Sequence, residues 1–546
     1  MSHQLLFGDL HNHNAVGYAK GSLERSIELA REHLDFFAFT GHASWHDMPR
    51  MPNEAHMKWV NGFTAHTAHW DKTRRLIRDA ADDRFTALLG YEWHSSTFGD
   101  YCMIFSEDQP RLFLPDHVDD LLDFAAAHHA LAIPHHVAYK QGWRGANWAH
   151  FRADVSPVVE IFSEHGCTEH DRAPKPMLRH SNGGRSTANT VVPQLARGMR
   201  FGFVASTDDH LGYPGAYGEG IVGVWAAENT AAAIFDAVRA RRTFAATGDR
   251  IELAVHLNGQ PMGADVPATD TRQIDVRVEA PDAIHMIELV RNGRVIERHF
   301  PEDDAAPLRL PGRAKCRIQY GWGPWADLGM ARVCDWDFTV ELRGGRFSRV
   351  LGCFQSAPFG EHLRDRVRLV SPGEIHVRSN TTRDKAFAED PTKSIVAELD
   401  APGDAVLTVR LRSPAAMTFE SRVDALVEDN RVEFTGPFTS ESLILHRLVG
   451  PSEFAAEVRW TDHGRDLRAT GTTCACDCTT ATWRGRARSG SVKATACRQS
   501  LAGTVTSLVL TWPTISSVSV NVGTFSSRGS TAKAVKLTVG ASPSPL

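Results

Sequence analysis

Apolar positions in the first 245 residues fall into short unbroken runs: LLFGDL, DFFAFT, FTALLGY, ALAIP, PVVEIF and RFGFVAS. Runs of this length, bounded by polar stretches, are the pattern of strands buried on both faces. Between them the period lengthens to that of a helix. Leu23, Ile27, Ala30 and Leu34 share one helical face behind Ser22, a residue suited to cap a first turn. Residues 54–82, 117–129 and 229–241 also read as helix. Strands alternating with helices predict an α/β fold, most simply a βα barrel.

The pattern changes after residue 248. IELAVHLNG, HMIELVRNGRVIE, DFTVELRGG and AVLTVRLRS alternate apolar and polar residues, several with Asn-Gly or Gly-Gly turns. That alternation predicts antiparallel sheet with one wet face, in one or two β-sandwich modules. A Pro-rich, acidic break falls near residues 300–315. The expected organisation is a barrel over 1–248, a β-rich accessory region over 249–468 and an aberrant or disordered tail over 469–546. The β region is expected to pack on the barrel.

Composition narrows the function. A net charge of −5 and a pI near 6.6 remove the electrostatic case for binding nucleic acid or an anionic membrane. No apolar stretch approaches a membrane span, and the first residues lack a signal peptide's basic start and apolar core, so a cytoplasmic protein is expected. Cys102, Cys167, Cys316, Cys334 and Cys353 are scattered without a disulfide framework. The unusual quantity is 27 histidines, of which 20 precede residue 250.

Those histidines follow the apolar runs. LLFGDL leads to His11-Asn12-His13, DFFAFT to His42, and FTALLGY to Glu92-Trp93-His94. ALAIP leads to His135-His136, PVV to Glu160 and His165, and RFGFVAS to Asp208-Asp209-His210. A parallel βα barrel gathers its strand C-termini on one face, so these residues would form a cage of imidazoles and carboxylates. Such donors suit zinc, manganese or iron(II), and a carboxylate can bridge two ions. His46, His56, His66, His69, His150, His170 and His180 fall on helices or loops and are read as structural, as are His128 and His129 at a helix end. No Ser-His-Asp elbow, P-loop or dinucleotide GxGxxG follows a strand.

The ordered set GDLHNHN, TGH, GYEW, IPHH, VEIFSEHG and STDDH resembles the polymerase and histidinol phosphatase (PHP) superfamily, in its bacterial branch with a β-rich C-terminal region. The resemblance covers roughly residues 5–250. It implies a distorted (β/α)7 TIM-like barrel with divalent metals at the strand C-termini. It also implies His11, His13, His42, Glu92, His135, Asp208 and His210 as metal ligands, with Glu92 bridging. Glu160 and His94 are second-tier ligands or orienting residues. Many members carry a further His shortly after HxH, whereas Asn14–Ala19 contain none, so two divalent ions (Mn, Zn or Fe) are expected rather than three.

The expected function is a metal-dependent hydrolase using a metal-bound hydroxide on a small-molecule phosphoester. Carbamate, carboxyl-ester or amide hydrolysis at the same dinuclear site is the alternative, and a non-catalytic glycan- or partner-binding protein is a third reading. His165 or His136 would protonate the leaving group. Lys140 and Arg144 would grip an anionic group beside Trp143, whereas the tryptophans around 93–148 favour an aromatic or apolar substrate. Oligomeric state is left open.

From about Arg468 the composition turns to Ser, Thr and Val, with Cys474, Cys476, Cys478 and Cys497. C-x-C-x-C is a poor match to structural zinc spacing. Displacing the coding frame over Ala469–Val492 yields alternating apolar and polar residues with a His-Asn-Gly turn, which looks like the family's usual ending. A frameshift is the expectation here, and a low-complexity tail is the alternative.

Overall fold

The computed structural model describes residues 3–177, 183–323, 328–383, 391–437, 439–463, 472–473 and 520–525. Ten strands build the first region: β1 (Gln4–Asp9), β2 (Phe36–Phe39), β3 (His42–Trp45), β4 (Thr86–His94), β5 (Asp100–Phe105), β6 (Leu131–His135), β7 (Val158–Phe162), β8 (Gly202–Ala205), β9 (Ile221–Ala226) and β10 (Thr243–Ala246). All six apolar runs are among them. The helices are α1 (Leu23–His33), α2 (Met57–Ala80), α3 (Val118–Ala127), α4 (Val191–Ala196) and α5 (Ala231–Arg239). Ser22 caps α1, its Oγ accepting from the Arg25 N–H at 3.2 Å. No described helix is long and apolar enough to cross a membrane.

One curled sheet runs β10-β9-β1-β2-β4-β5-β6, with β3 beside β4, while β7 and β8 form a separate parallel pair. β5 lies antiparallel between β4 and β6, and β9 antiparallel between β1 and β10. A few bonds bridge the remaining gaps: Ser156 Oγ donates to Ala132 O at 2.6 Å, Ala132 N to Val155 O at 2.9 Å, and Thr243 Oγ1 to Phe203 O at 2.9 Å. The structure is therefore a mixed, half-barrel sheet plus a strand pair, not the closed ring of parallel strands that the βα reading predicts. Short connections are one reason. Residues 95–99 join β4 to β5, far fewer than a parallel crossover needs.

Inside the curl, Leu6, Phe36, Leu88, Ile133, Val158 and Val204 meet Ile234, Phe235 and Val238 of α5. Each buried apolar side chain of this kind contributes roughly 1.5–3 kcal/mol. This apolar cluster extends to Cys102, whose Sγ lies 3.6 Å from His135 at the ligand-bearing end.

Residues from 249 onward are antiparallel sheet. Glu252–Leu257 and Thr271–Glu279 pair, and Thr271–Glu279 pairs along its length with Ala455–His463. Between them in sequence, two five-stranded sheets enclose a core with Tyr320, Trp336, Phe338, Leu399 and Leu407. This sandwich is an insertion in sequence between Thr271–Glu279 and Ala455–His463, which pair with each other. It reaches the α/β region through Tyr213 Oη, which donates to Asp365 at 3.0 Å, and Ser356 Oγ, which donates to Glu219 at 2.8 Å. Buried Arg317 joins the regions through Asp249 at 2.9 Å and Asp282 at 2.8 Å. In the tail, the backbones of Thr472–Thr473 and Val520–Phe525 pair with Ala283–Arg291. The four late cysteines and most of the stretch assigned to a displaced frame lie outside the described residues, as does His180.

Candidate metal centre

The centre starts with the ends of strands that run the same way. β1 runs on into His11 and His13, β3 opens on His42, β4 ends on Glu92 and His94, and β6 ends on His135. β7 carries Glu160, and the segment after β8 carries Asp208. All eight side chains are buried, none more than 2 % exposed. An isolated parallel bridge between Asn12 and Asp209 holds the first and last of these segments together.

Glu92 is the hub. His135 Nε2 lies 2.7 Å and His94 Nδ1 3.2 Å from its Oε1. Its Oε2 faces His42 Nε2 at 3.3 Å, His13 Nε2 at 3.5 Å and His11 Nε2 at 4.0 Å. Asp208 is the second pole, with His13 Nε2 at 2.8 Å, His11 Nε2 at 3.3 Å and His165 Nε2 at 2.7 Å. His11 and His13 point their Nε2 atoms at each other across 3.0 Å. Several donor triplets lie within 4.8 Å of one another, among them His11-His13-Asp208, His42-Glu92-His94 and His13-His42-His210.

Electrostatics favours a cation here. Burial holds His13, His42, His135 and His136 well below the usual imidazole range, leaving lone pairs on neutral rings. Burial also pushes Glu92 well up. For Asp208 burial acts upward too, but the His11 and His165 charges outweigh it and hold the carboxyl well down. For His11 burial acts downward, and Asp208 and neighbouring groups outweigh it. Among the described residues, Glu92 Oε2, Glu160 Oε1, His42 Nδ1 and His94 Nε2 are buried without a hydrogen-bond partner. Orphaned acceptors and convergent imidazoles fit divalent ions, because a buried polar group without a partner costs about 1–3 kcal/mol.

Supporting contacts orient the rings. His11 Nδ1 lies 3.1 Å from Glu160 and His135 Nδ1 lies 3.6 Å from Cys102 Sγ. Asp9 accepts from the backbone of His11, Thr207 and Gly215 and from Thr207 Oγ1, so one carboxylate braces both ligand-bearing segments. Burial raises its pKa to about 6. Asp208 and His136 adopt positive φ, 56° and 31°, a conformation that costs energy at a non-glycine residue.

The other predicted residues divide. His165 stands between Asp208 and Tyr139, whose Oη lies 2.9 Å from His165 Nδ1. His210 joins from the rim, its Nδ1 3.0 Å from Glu164. Burial pulls its pKa down, the Glu164 contact outweighs burial, and the result is about 9. His136 Nε2 lies 3.4 Å from Asp100. Arg144 is brought in as well, its Nε donating to Asp100 Oδ2 at 2.7 Å. Lys140 and Trp143 are exposed, Trp143 by 64 %, and no contact among the described residues joins either to the cage. Sequence reasoning missed Asp100, Asp9, Cys102, Tyr139 and Tyr18. The Tyr18 ring stacks on His42 with centroids 3.7 Å apart.

A family described as a protein of unknown function (DUF3604) matches residues 216–277, from the segment before β9 to the first sheet of the β region. An uncharacterized protein of Chlamydia muridarum is 25 % identical over 331 residues, 55 % of this chain and 50 % of that protein. One from Chlamydia trachomatis is 25 % identical over 348 residues, 56 % of this chain and 52 % of that protein. The chain thus spans about half the length of these curated relatives. Among solved structures, a two-domain Bacteroides vulgatus protein containing a predicted PHP-like metal-dependent phosphoesterase is 15 % identical, with a TM-score of 0.32 over 54 % of this chain and 85 % of that one. PsfC from Pseudomonas syringae is 12 % identical, with a TM-score of 0.29 over 44 % of this chain and 90 % of that one. Neither score is high enough to equate the folds.

Proposed function

We propose that this chain is a PHP-type metal-dependent hydrolase that acts on a small-molecule phosphoester. The observation that carries the reading is the set of four imidazole Nε2 atoms, from His11, His13, His42 and His135, within 2.7–4.0 Å of the Glu92 carboxylate. His11, His13, Glu92 and Asp208 would hold one divalent ion, and Glu92, His135 and Glu160 a second. His42 and His94, buried against Glu92, are further donors beside these positions, and His210 stands at the rim. Manganese, zinc and iron all suit this N/O donor set. Bound there, such ions supply Lewis acidity and an activated water.

The chain's own groups do the rest. His165, which contacts Asp208 and Tyr139, would hold a proton at Nε2 and deliver it to a leaving oxygen. The Arg144 guanidinium and the Glu164-paired His210 put positive charge on the rim, where an anionic group would enter.

One observation favours a second reading, an aryl ester or carbamate. Tyr18 lies beside Trp59 and Phe63, with centroids 6.3 and 6.1 Å away, and forms an aromatic wall over His42. The test is elemental analysis of purified protein followed by a panel of phosphate mono- and diesters, carboxyl esters and aryl carbamates. The reading expects bound divalent metal and turnover that chelation abolishes and manganese or zinc restores. Protein that neither holds nor acquires metal overturns it.

A further inference from the structure

A second constellation adjoins the cage, centred on Asp100. This carboxylate is 1 % exposed. Around its Oδ2 stand His94 Nδ1 at 3.1 Å, His136 Nε2 at 3.4 Å and two nitrogens of Arg144, Nε at 2.7 Å and Nη2 closer still. The same Nη2 lies 3.1 Å from His94 Nδ1 and 3.4 Å from His136 Nε2. A guanidinium nitrogen only donates, so the Asp100 carboxylate accepts from it, and both imidazole nitrogens stand beside the same cation. Two imidazole nitrogens and a carboxylate oxygen, with Glu92 Oε1 3.2 Å from His94 Nδ1, form the donor set expected around a divalent ion. Here they surround an arginine.

The arginine is built in. Arg144 sits at φ 67°, between Gly142 at φ 82° and Gly145, where an added Cβ would fall 1.8 Å from Tyr139 O. Its backbone N–H donates to Ser96 O at 3.1 Å. The guanidinium lies over the Trp45 ring, 5.0 Å from the centroid, and the Trp45 Nε1–H donates to Ser96 Oγ at 3.0 Å. Turn, stacking and two guanidinium nitrogens on one carboxylate oxygen hold the charge at Asp100, and an arginine cannot be neutralised by deprotonation.

We propose that Arg144 is a resident cation that occupies the Asp100-His94-His136 position and bars a further divalent ion from it. This rests on the metal-dependent reading of the adjoining cage. The position supplies one fixed positive charge and hydrogen-bond donors, and the ion count of the centre is set by the rest of the cage.

The experiment counts zinc ions per chain by elemental analysis after equilibrium dialysis, with circular dichroism and Tm confirming the fold. Arg144→Met keeps the aliphatic stem but removes the charged group that lies over Trp45, and is expected to bind one more ion per chain than wild type. Arg144→Lys and the charge-neutral pair Arg144→Met/Asp100→Asn are expected to bind the wild-type number, as is Asp100→Asn alone. An unchanged count in folded Arg144→Met overturns the proposal. So does the loss of an ion in Asp100→Asn, which would make Asp100 part of metal binding in the natural chain. Wild-type protein that binds no zinc instead removes the metal reading itself, a separate outcome.

Discussion

His66 makes the acid sensitivity of the α/β region calculable. The residue lies on α2, fully buried, with ring centroids 5.6 Å from both Phe39 and Trp70 and its Nδ1 2.9 Å from the His42 carbonyl. Burial, partly offset by backbone carbonyls, lowers its pKa from 6.5 to about 4. The folded state thus keeps the ring neutral where the unfolded chain takes up a proton. For a depressed histidine the stability is present above the unfolded value and lost as pH falls between about 6.5 and 4. Going from about pH 7 to pH 4.5, the linkage integral gives a loss of about 2.4 kcal/mol from this residue. Asparagine places an amide N–H where Nδ1–H stood and does not titrate. The stability of wild type minus that of His66→Asn, measured by urea unfolding of chelator-treated proteins, should therefore fall by about 2 kcal/mol across that interval. A difference that stays constant with pH would refute the assignment of a neutral, buried His66.

Three further outcomes are expected. Glu92→Gln, Asp208→Ala and His13→Ala should each lower turnover by more than about 100-fold and reduce bound metal, read by steady-state kinetics and elemental analysis, while the apolar core keeps the fold. Arg317→Met should cost about 3–5 kcal/mol in chemical denaturation, because it strands the buried carboxylates Asp249 and Asp282 that Arg317 joins. Gly145→Ala should lower kcat/KM and Tm together, because its methyl would collide with Tyr139 O and displace the turn carrying Arg144.

Much of the α/β region was legible because burial on both faces leaves unbroken apolar runs, and all six such runs are strands. The reversed strands were not legible, because apolar runs carry no direction. DYCMIF and IVGVWA, the strands β5 and β9 that run against their neighbours, have the same character as the parallel ones. The candidate site was legible wherever a His, Asp or Glu follows a strand end. Asp9 was hidden inside the first run as the last residue of β1, where its backbone-bracing role leaves no periodic signal. Lys140 and Trp143 share a short turn with Arg144, yet only Arg144 points inward. Which residue of a turn points inward depends on contacts from distant segments, here Ser96, Trp45 and Asp100.

Asp100 shows the physical reason most clearly. The rule that sites gather at strand C-termini assumes that every strand runs the same way. β5 runs opposite to β4 and β6, with Asp100 opposite His135 and Cys102 opposite Glu92. An antiparallel strand brings its first residues, not its last, to the face that carries the ligands. Side chains two apart on a strand share a face, so Asp100 and Cys102 both turn toward the cage, one beside His94 and the other beneath His135. One reversed strand thereby adds a carboxylate and a thiol to a site otherwise built from parallel strand ends. The added carboxylate is the one to which Arg144 is bound.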